Sequence, residues 1–283
     1  AIVIVNRVKP HTAFRGPIES GPTKMIAIGL GKQRGAHVVH ARGWAEIHRT
    51  IPAVAEVTLR AGKIAFALAI LENADEQPAR LVAIPAHRLL AEEPALQAQA
   101  KELLPRLPFE RLDVLVIDRI GKNVSGDGAD PNVTGRYPTP FASGGPAVTR
   151  MVFCDVTDES LGNANGLGMA DVVTARLASR FIPSATYLNA LTSTTPEPTR
   201  LPMVMPDADR ALRAALLMCP GVDPRRARIA RIVDTLNLRT LWVSDALAEE
   251  IAADPALRIV ERYERFPLAE PRVAAALAAD RER

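Results

Sequence analysis

The sequence contains few of the residues from which disulfide-rich scaffolds and membrane proteins are built. Only two of its 283 residues are cysteines, Cys154 and Cys219, and they do not form a C-x-x-C pair. This excludes a disulfide framework and a structural zinc site based on a C-x-x-C pair, and it predicts free thiols in a reducing, cytoplasmic compartment. No apolar run reaches the roughly 18 residues that a membrane span requires. We therefore expect a soluble protein with no membrane partner.

The sequence also lacks a strong charge of one sign. Lys and Arg number 35 against 32 Asp and Glu, so that the net charge is only +3, and aromatic residues make up 4% of the chain. The densest basic cluster, at residues 225–231, has no aromatic residue beside it on which a base could stack. We therefore expect no nucleic-acid partner. The apolar share of 48% is enough for a sizeable core and argues against disorder.

Short apolar runs alternate with segments of helical periodicity along most of the chain. We expect helices after Asp207 and after Ser244, and a longer one over residues 168–181. The predicted strands span residues 2–6, 25–30, 63–71, 80–84, 112–118, 149–155, 201–205, 228–233, 238–243 and 259–263. This alternation predicts an α/β fold with mixed or mostly parallel sheets.

A proline-flanked polar segment divides the chain in two. Helix-forming residues up to Leu104 are followed by Pro105 and Pro108, after which a new strand begins. We therefore predict two α/β domains, at residues 1–108 and 109–283. The second opens with a strand and a long loop over residues 121–146, which is long enough to be functional in its own right.

The chain opens directly on a strand pattern, Ile2 to Val5, without an initiator Met or a signal peptide. Such a beginning leaves no room for the elements that normally precede and flank a buried strand. We therefore expect an upstream segment of the first domain to be missing from this sequence.

Histidines are concentrated near the start of the chain. His11, His37, His40 and His48, four of the five, lie in the first 48 residues, and His11 shares a loop after the first strand with Lys24. Imidazole is the commonest metal ligand in proteins and a frequent general base near neutral pH. Loops at the carboxyl ends of strands bind ligands in open α/β sheets. This loop is therefore our candidate site.

A glycine-rich segment follows the candidate loop. Gly29, Gly31 and Gly35, together with Lys32 and Arg34, would form a strand end that leads into a helix and could bind a phosphate through backbone amides. The spacing is a loose form of the dinucleotide fingerprint, and no acidic residue stands at a clean strand end about 20 residues later. A nicotinamide-dependent oxidoreductase is therefore one alternative function, and a plain tight turn is the structural alternative.

Several motifs together resemble the nickel-dependent lactate racemase family, the racemases and epimerases of 2-hydroxy acids. In the first half these are Asn6-Arg7-Val8-Lys9-Pro10-His11-Thr12, Glu19-Ser20-Gly21 with Lys24, and Ile28-Gly29-Leu30-Gly31-Lys32. In the second half they are residues 120–128, residues 130–136 and Asn165-Gly166-Leu167-Gly168-Met169-Ala170-Asp171. The resemblance covers most of the chain.

The resemblance implies a cofactor, a reaction and a set of site residues. The cofactor is a nickel-pincer nucleotide (nickel pyridinium-3,5-bisthiocarboxylic acid mononucleotide), which would be joined to Lys24 beside Ser20 and Gly21. His40, with His37 as its rival, would bind the nickel, and His11 would be one of two catalytic bases. The second base would lie in the missing upstream segment. The reaction would be racemisation or epimerisation of a lactate-like 2-hydroxy acid in the cleft between the domains.

Two further residues are candidate contacts to the cofactor or the substrate, and two others depart from the pattern of the family. Lys122, in the second half, is a candidate contact to the cofactor or to an anionic substrate, and Arg136 is a further candidate for the substrate. Pro22 and Thr23 replace the Gly-Arg pair that precedes the lysine in the family. A truncated, non-catalytic homologue that binds an acidic metabolite is therefore a third alternative. The identity of the hydroxy acid and the oligomeric state stay open at this point.

Overall fold

The computed structural model of the protein describes residues 1–268 and contains two separate β-sheets. The first sheet has three strands: β1 (Ile2–Arg7), β2 (Ile64–Glu72) and β3 (Pro78–Pro85). They lie in the order β1-β2-β3, with β2 parallel to β1 and antiparallel to β3. Ile4 of β1, Ala67 of β2 and Ile84 of β3 point to a buried core, whereas Val3 and Val5 on the opposite face are exposed.

Most helices of the first half lie between β1 and β2, and one follows β3. They are α1 (Pro22–Lys24), a π-helical segment (Met25–Gly29), α2 (Lys32–His40), α3 (Ile47–Arg60) and, after β3, α4 (Leu89–Leu103). Leu89, Leu96 and Ala100 of α4 pack on the sheet. A smaller cluster, formed by Phe14, Ala27, Val39, Ile47 and Ile51, joins the loop after β1 to α2 and α3. This cluster supports the loop that carries His11.

The second sheet has six strands and is parallel except at one edge. The strands are β4 (Arg111–Ile117), β5 (Ala147–Phe153), β6 (Val172–Thr174), β7 (Met203–Met205), β8 (Ile229–Ile232) and β9 (Trp242–Val243). Their order is β7-β6-β5-β4-β8-β9, and only β9 runs antiparallel to its neighbour. The chain therefore proceeds from β4 to one side as far as β7 and then returns to the other side at β8.

Apolar side chains lie on both faces of this second sheet, as is typical of parallel sheets. One face packs against α8 (Ala208–Leu217), through Ala211, Leu212 and Ala215. The other face packs against side chains that include Leu177 of α6 (Ala175–Arg180) and Ile251 of α9 (Ala248–Ala253). Two further helices, α5 (Pro131–Thr134) and α7 (Pro183–Ser193), lie in the connections.

The α/β class predicted from the sequence is confirmed, and so are most of the strands. Asp207 caps α8 as predicted, since its side chain accepts a hydrogen bond from the amide of Arg210. The boundary predicted after residue 108 lies between α4 and β4, and no strand of one sheet pairs with a strand of the other. The division into two domains stays a prediction. None of the helices within residues 1–268 is long and apolar enough to cross a membrane.

Four local predictions are wrong. Residues 25–30 form a π-helical segment and not a strand, and residues 168–181 contain a 3₁₀ turn, strand β6 and the short α6 in place of one long helix. The strand predicted at residues 238–243 is formed only at its end, as β9, and residues 259–263 form no strand. In the first two segments the apolar residues are buried by tertiary contacts that override the local pattern: Ile26 and Ala27 lie in the core, and so do Val172 and Val173.

Candidate functional site

The candidate site lies where two loops from the two sheets meet. One loop follows the carboxyl end of β1 and carries His11, and the other follows the carboxyl end of β4 and carries Lys122 and Asp127. Strand β4 has β5 on one side and β8 on the other, which makes its carboxyl end the point where the strand order reverses. Such a point is the usual ligand-binding position of an open α/β sheet.

Two hydrogen bonds hold His11 in one orientation, one at its backbone amide and one at its ring. Its amide donates a hydrogen bond to Oε2 of Glu19 (2.8 Å), and its ring nitrogen Nδ1 accepts one from the amide of Ala13 (3.0 Å). Because Nδ1 is an acceptor, the neutral ring carries its proton on Nε2. Burial lowers the pKa of His11 well below its usual 6.5, and the positive charges of Lys24, His40 and Arg15 lower it further. His11 is therefore neutral at pH 7.

His40 is oriented by a hydrogen bond at one of its two ring nitrogens. It lies at the end of α2, and its Nδ1 is 2.8 Å from the carbonyl oxygen of Ala36, one turn earlier. Since a carbonyl only accepts, Nδ1 carries the proton and Nε2 keeps a lone pair, which is the usual arrangement of a metal-ligating histidine. Burial lowers the pKa of His40, although the Ala36 contact opposes the shift. Its rival His37 lies on the same helix but is exposed.

Lys24 lies within electrostatic range of both imidazoles. It is the last residue of α1, is partly buried, and contributes to the lowered pKa of both His11 and His40. Burial lowers the pKa of the Lys24 amine to about 8, while the negative charge of Asp127 acts in the opposite direction. Near neutral pH an appreciable fraction of this amine is therefore uncharged and nucleophilic.

The loop after β4 adds a second lysine to the site. Nζ of Lys122 donates hydrogen bonds to the carbonyl oxygen of Gly126 (2.6 Å) and to Oδ1 of Asn189 (3.0 Å). Burial lowers the pKa of Lys122, and Asp127 again raises it. Asp127 therefore acts electrostatically on both lysines, one from each sheet. This carboxylate offsets part of the positive charge at the site.

Trp44 packs against the imidazoles and bridges to the second half of the chain. Its ring centroid lies 5.8 Å from that of His11 and 5.4 Å from that of His40. Its Nε1 donates a hydrogen bond to Oγ1 of Thr195 (2.7 Å). Phe14 stacks on His11 from within the core, with centroids 4.5 Å apart. The two histidines therefore share an aromatic wall, which limits their contact with water.

Arg15 connects the loop after β1 to the loop that precedes β5. Its guanidinium donates hydrogen bonds to Oδ1 of Asn132 (2.7 Å), to the hydroxyl of Tyr137 (2.8 Å) and to the carbonyl oxygen of Ser143. A further bond, of 2.7 Å, goes to the carbonyl oxygen of His11. With its donors engaged in this way, Arg15 fixes the position of the His11 loop relative to the second sheet.

The other predicted residues have structural contacts. Ser20 and Gly21 lie against α4, since the amide of Ser20 donates to Oε1 of Gln97 (3.3 Å) and a Cβ on Gly21 would collide with Glu93. Arg136 forms an ion pair with Asp171 (2.7 Å) and donates hydrogen bonds to three carbonyl oxygens of the second half of the chain. The segment around Gly29 and Gly31 is helical, and the strand expected to precede the glycine turn is absent there.

Within residues 1–268, no three His, Cys, Asp or Glu side chains converge as a group that could hold a metal ion. Comparison with protein-family models, with curated proteins and with solved structures found no match. The case for a function therefore depends on the geometry of the site.

Sequence reasoning missed three residues of this site: Arg15, Trp44 and Asp127. Trp44 follows His40 by four residues, a spacing that could have placed both on one side of the chain. Asp127 lies in a loop long enough to be suspected of function, but its approach to Lys24 spans more than 100 residues. Arg15 had no signal of its own, because the partners that join it to the second sheet, Asn132, Tyr137 and Ser143, lie more than 100 residues away.

Proposed function

We propose that this protein is a racemase or epimerase of a lactate-like 2-hydroxy acid that works with a nickel-pincer nucleotide attached to Lys24. The observation that carries the proposal is the grouping of Lys24, whose amine has a pKa of about 8, with the partly buried imidazoles of His11 and His40. A lysine whose pKa is lowered toward neutrality, next to two histidines whose pKa values are also lowered, is a grouping typical of functional sites.

The side chains present fit such a cofactor. The uncharged fraction of the Lys24 amine can form the covalent link, and His40 offers an Nε2 lone pair that its contact with Ala36 keeps free of the proton. An imidazole is an ordinary ligand for nickel. This geometry favours His40 over His37 as the nickel ligand. When bound, the cofactor would supply a hydride acceptor, which allows the configuration at the substrate's α-carbon to be inverted.

The protein itself would bind the substrate and handle the proton of its hydroxyl group. Neutral His11 presents an Nε2–H, which can donate a hydrogen bond to a substrate oxygen. To accept a proton at Nε2 the ring must carry its own proton on Nδ1, so Nδ1 must first release the amide of Ala13. Lys122 supplies a positive charge for the carboxylate of the hydroxy acid, and the wall of Trp44 and Phe14 excludes water.

Intact mass and metal analysis of the protein, co-expressed with enzymes that make the cofactor, tests the proposal. We expect a mass increment with bound nickel, located on the peptide that contains Lys24 and lost in Lys24→Ala. The matched control is Lys63→Ala, which removes an exposed lysine outside the site and should keep the increment. An unmodified Lys24 in nickel-free protein would contradict the proposal and favour a non-catalytic binding protein.

A further inference from the structure

One face of α4 supports the loop that carries the candidate site. Glu93, Gln97 and Lys101 follow one another at intervals of four residues and therefore lie on one side of the helix. Nζ of Lys101 forms an ion pair with Oε1 of Glu19 (2.5 Å), and Oε1 of Gln97 accepts a hydrogen bond from the amide of Glu19 (3.2 Å). Glu19 in turn holds the amide of His11. This part of α4 therefore positions His11 indirectly.

Glu93 makes the corresponding contact to the turn that carries Lys24. Its Oε2 accepts two hydrogen bonds from Thr23, one from the amide (2.9 Å) and one from the hydroxyl (2.5 Å). Amides in the first turn of a helix have no partner within the helix, and a side chain at the N-cap usually accepts from one of them. The N-cap of α1 is Gly21, which has no side chain to do so. Glu93 supplies the missing acceptor from another helix.

The approach of Glu93 also requires the glycine. A Cβ on Gly21 would collide with Oε1 of Glu93, although the backbone of Gly21 is extended and would itself accept any residue. The π-helical segment begins directly after Lys24, and such segments occur frequently at functional sites. The close packing of Gly21 on Glu93 therefore fixes the point from which the Lys24 side chain leaves the backbone.

We propose that Glu93 is the positioning residue of Lys24: its carboxyl group caps the turn at Thr23 and so holds the Lys24 amine in its partly buried place. The inference rests on the proposed function only in taking Lys24 as the attachment residue. Glu93 is fully buried and its carboxyl group accepts hydrogen bonds from Thr23, so that its effect on Lys24 passes through Thr23.

Glu93 forms no ion pair within residues 1–268, and no charged group is among the causes that shift its pKa. The charged and titratable groups on α4 and on the elements packed against it include Glu19 paired with Lys101, Glu72 paired with Lys9, Glu92 paired with Arg88, Arg80 bonded to Gln99, and also Lys24, His87 and Glu102. Burial raises the pKa of Glu93 to about 7, and the two bonds from Thr23 limit the rise. Oε1 has no hydrogen-bond partner within residues 1–268. Oε2 therefore carries both hydrogen bonds of this carboxyl group, those from the amide and the hydroxyl of Thr23.

The pH dependence of Lys24 acylation tests this inference in protein without cofactor. Brief exposure to an acylating reagent, followed by peptide mass spectrometry, gives the labelling rate of each lysine, and exposed Lys63 serves as the internal reference. In the wild type we expect the rate at Lys24 to reach half its maximum near pH 8. In Glu93→Ala the turn loosens and the amine gains water, so its pKa should rise by at least one unit. The labelling rate at pH 7 should then fall about tenfold relative to Lys63.

Three further variants separate positioning from general loss of structure. Glu93→Gln keeps an oxygen acceptor for Thr23 and should restore the wild-type profile. Glu92→Ala changes a neighbouring charge that is paired with Arg88 and should leave the profile unchanged. Should Glu93→Ala fail to fold, Thr23→Val removes one of the two bonds and should shift the profile in the same direction. An unchanged Lys24 profile in a folded Glu93→Ala or Thr23→Val protein would overturn the inference. A missing mass increment in cofactor-loaded protein would instead count against the proposed function alone.

Discussion

The raised pKa of Glu93 predicts that the free energy of unfolding falls as the pH rises toward 7. Its pKa is about 7 in the folded protein, against an ordinary 4.5 in the unfolded chain. A raised pKa means that the folded state binds the proton more tightly, so the stabilisation is fully present below pH 4.5 and is lost as the pH rises to about 7. The difference of about 2.5 pKa units, at 1.36 kcal/mol each, amounts to about 3 kcal/mol of unfolding free energy.

The substitution Glu93→Gln isolates this contribution. Glutamine keeps the oxygen acceptor for Thr23 but does not titrate, so the variant should gain about 3 kcal/mol relative to the wild type between pH 4.5 and pH 7.5. His11 and His40 act in the opposite direction, because their lowered pKa values withdraw stability as the pH falls below 6.5. These groups are common to both proteins and cancel in the difference.

Urea denaturation followed by circular dichroism at a series of pH values measures the two unfolding free energies. Glu92→Gln is the matched control, since it removes a carboxylate one residue away whose partner is Arg88. A difference between Glu93→Gln and the wild type that stays constant within about 0.5 kcal/mol from pH 4.5 to 7.5 would refute the reasoning. It would mean that Glu93 is ionised in the folded protein throughout this range.

Further predictions concern the site. In Asp127→Asn the loss of the negative charge that raises the pKa of Lys24 should move its acylation profile to lower pH, and an unchanged profile would show that the two groups do not interact. In cofactor-loaded His11→Ala the mass increment on Lys24 should remain while racemisation, followed by chiral chromatography, is abolished; continued racemisation would remove His11 from its proposed role. Arg15→Ala should lower the unfolding free energy by about 2 kcal/mol in urea denaturation, because it removes hydrogen bonds to the partly buried carbonyl of His11, Oδ1 of Asn132 and hydroxyl of Tyr137. A loss below about 1 kcal/mol would argue against these contacts.

The sequence by itself determined the fold class and the residue types of the candidate site. The apolar runs that became β1, β2, β4 and β5 are long enough, and sufficiently well bounded by turn residues, to be read locally. The cap at Asp207 is likewise a local feature. The concentration of histidines drew attention to the loop with His11 and Lys24, and the resemblance to the nickel-dependent lactate racemase family singled out His40 and the role of Lys24.

Only the tertiary structure decided how these residues are used. The run Met25 to Leu30 has the composition of a strand, but burial of Ile26 and Ala27 against neighbouring elements holds it as a helix. His40 became distinct from His37 through burial, since His40 is partly buried beside Trp44 with its Nδ1 on Ala36 whereas His37 is exposed. The pKa of Lys24 depends on burial and on Asp127, more than 100 residues away in the sequence. Such contacts join segments that are distant along the chain, and no local pattern of residues encodes them.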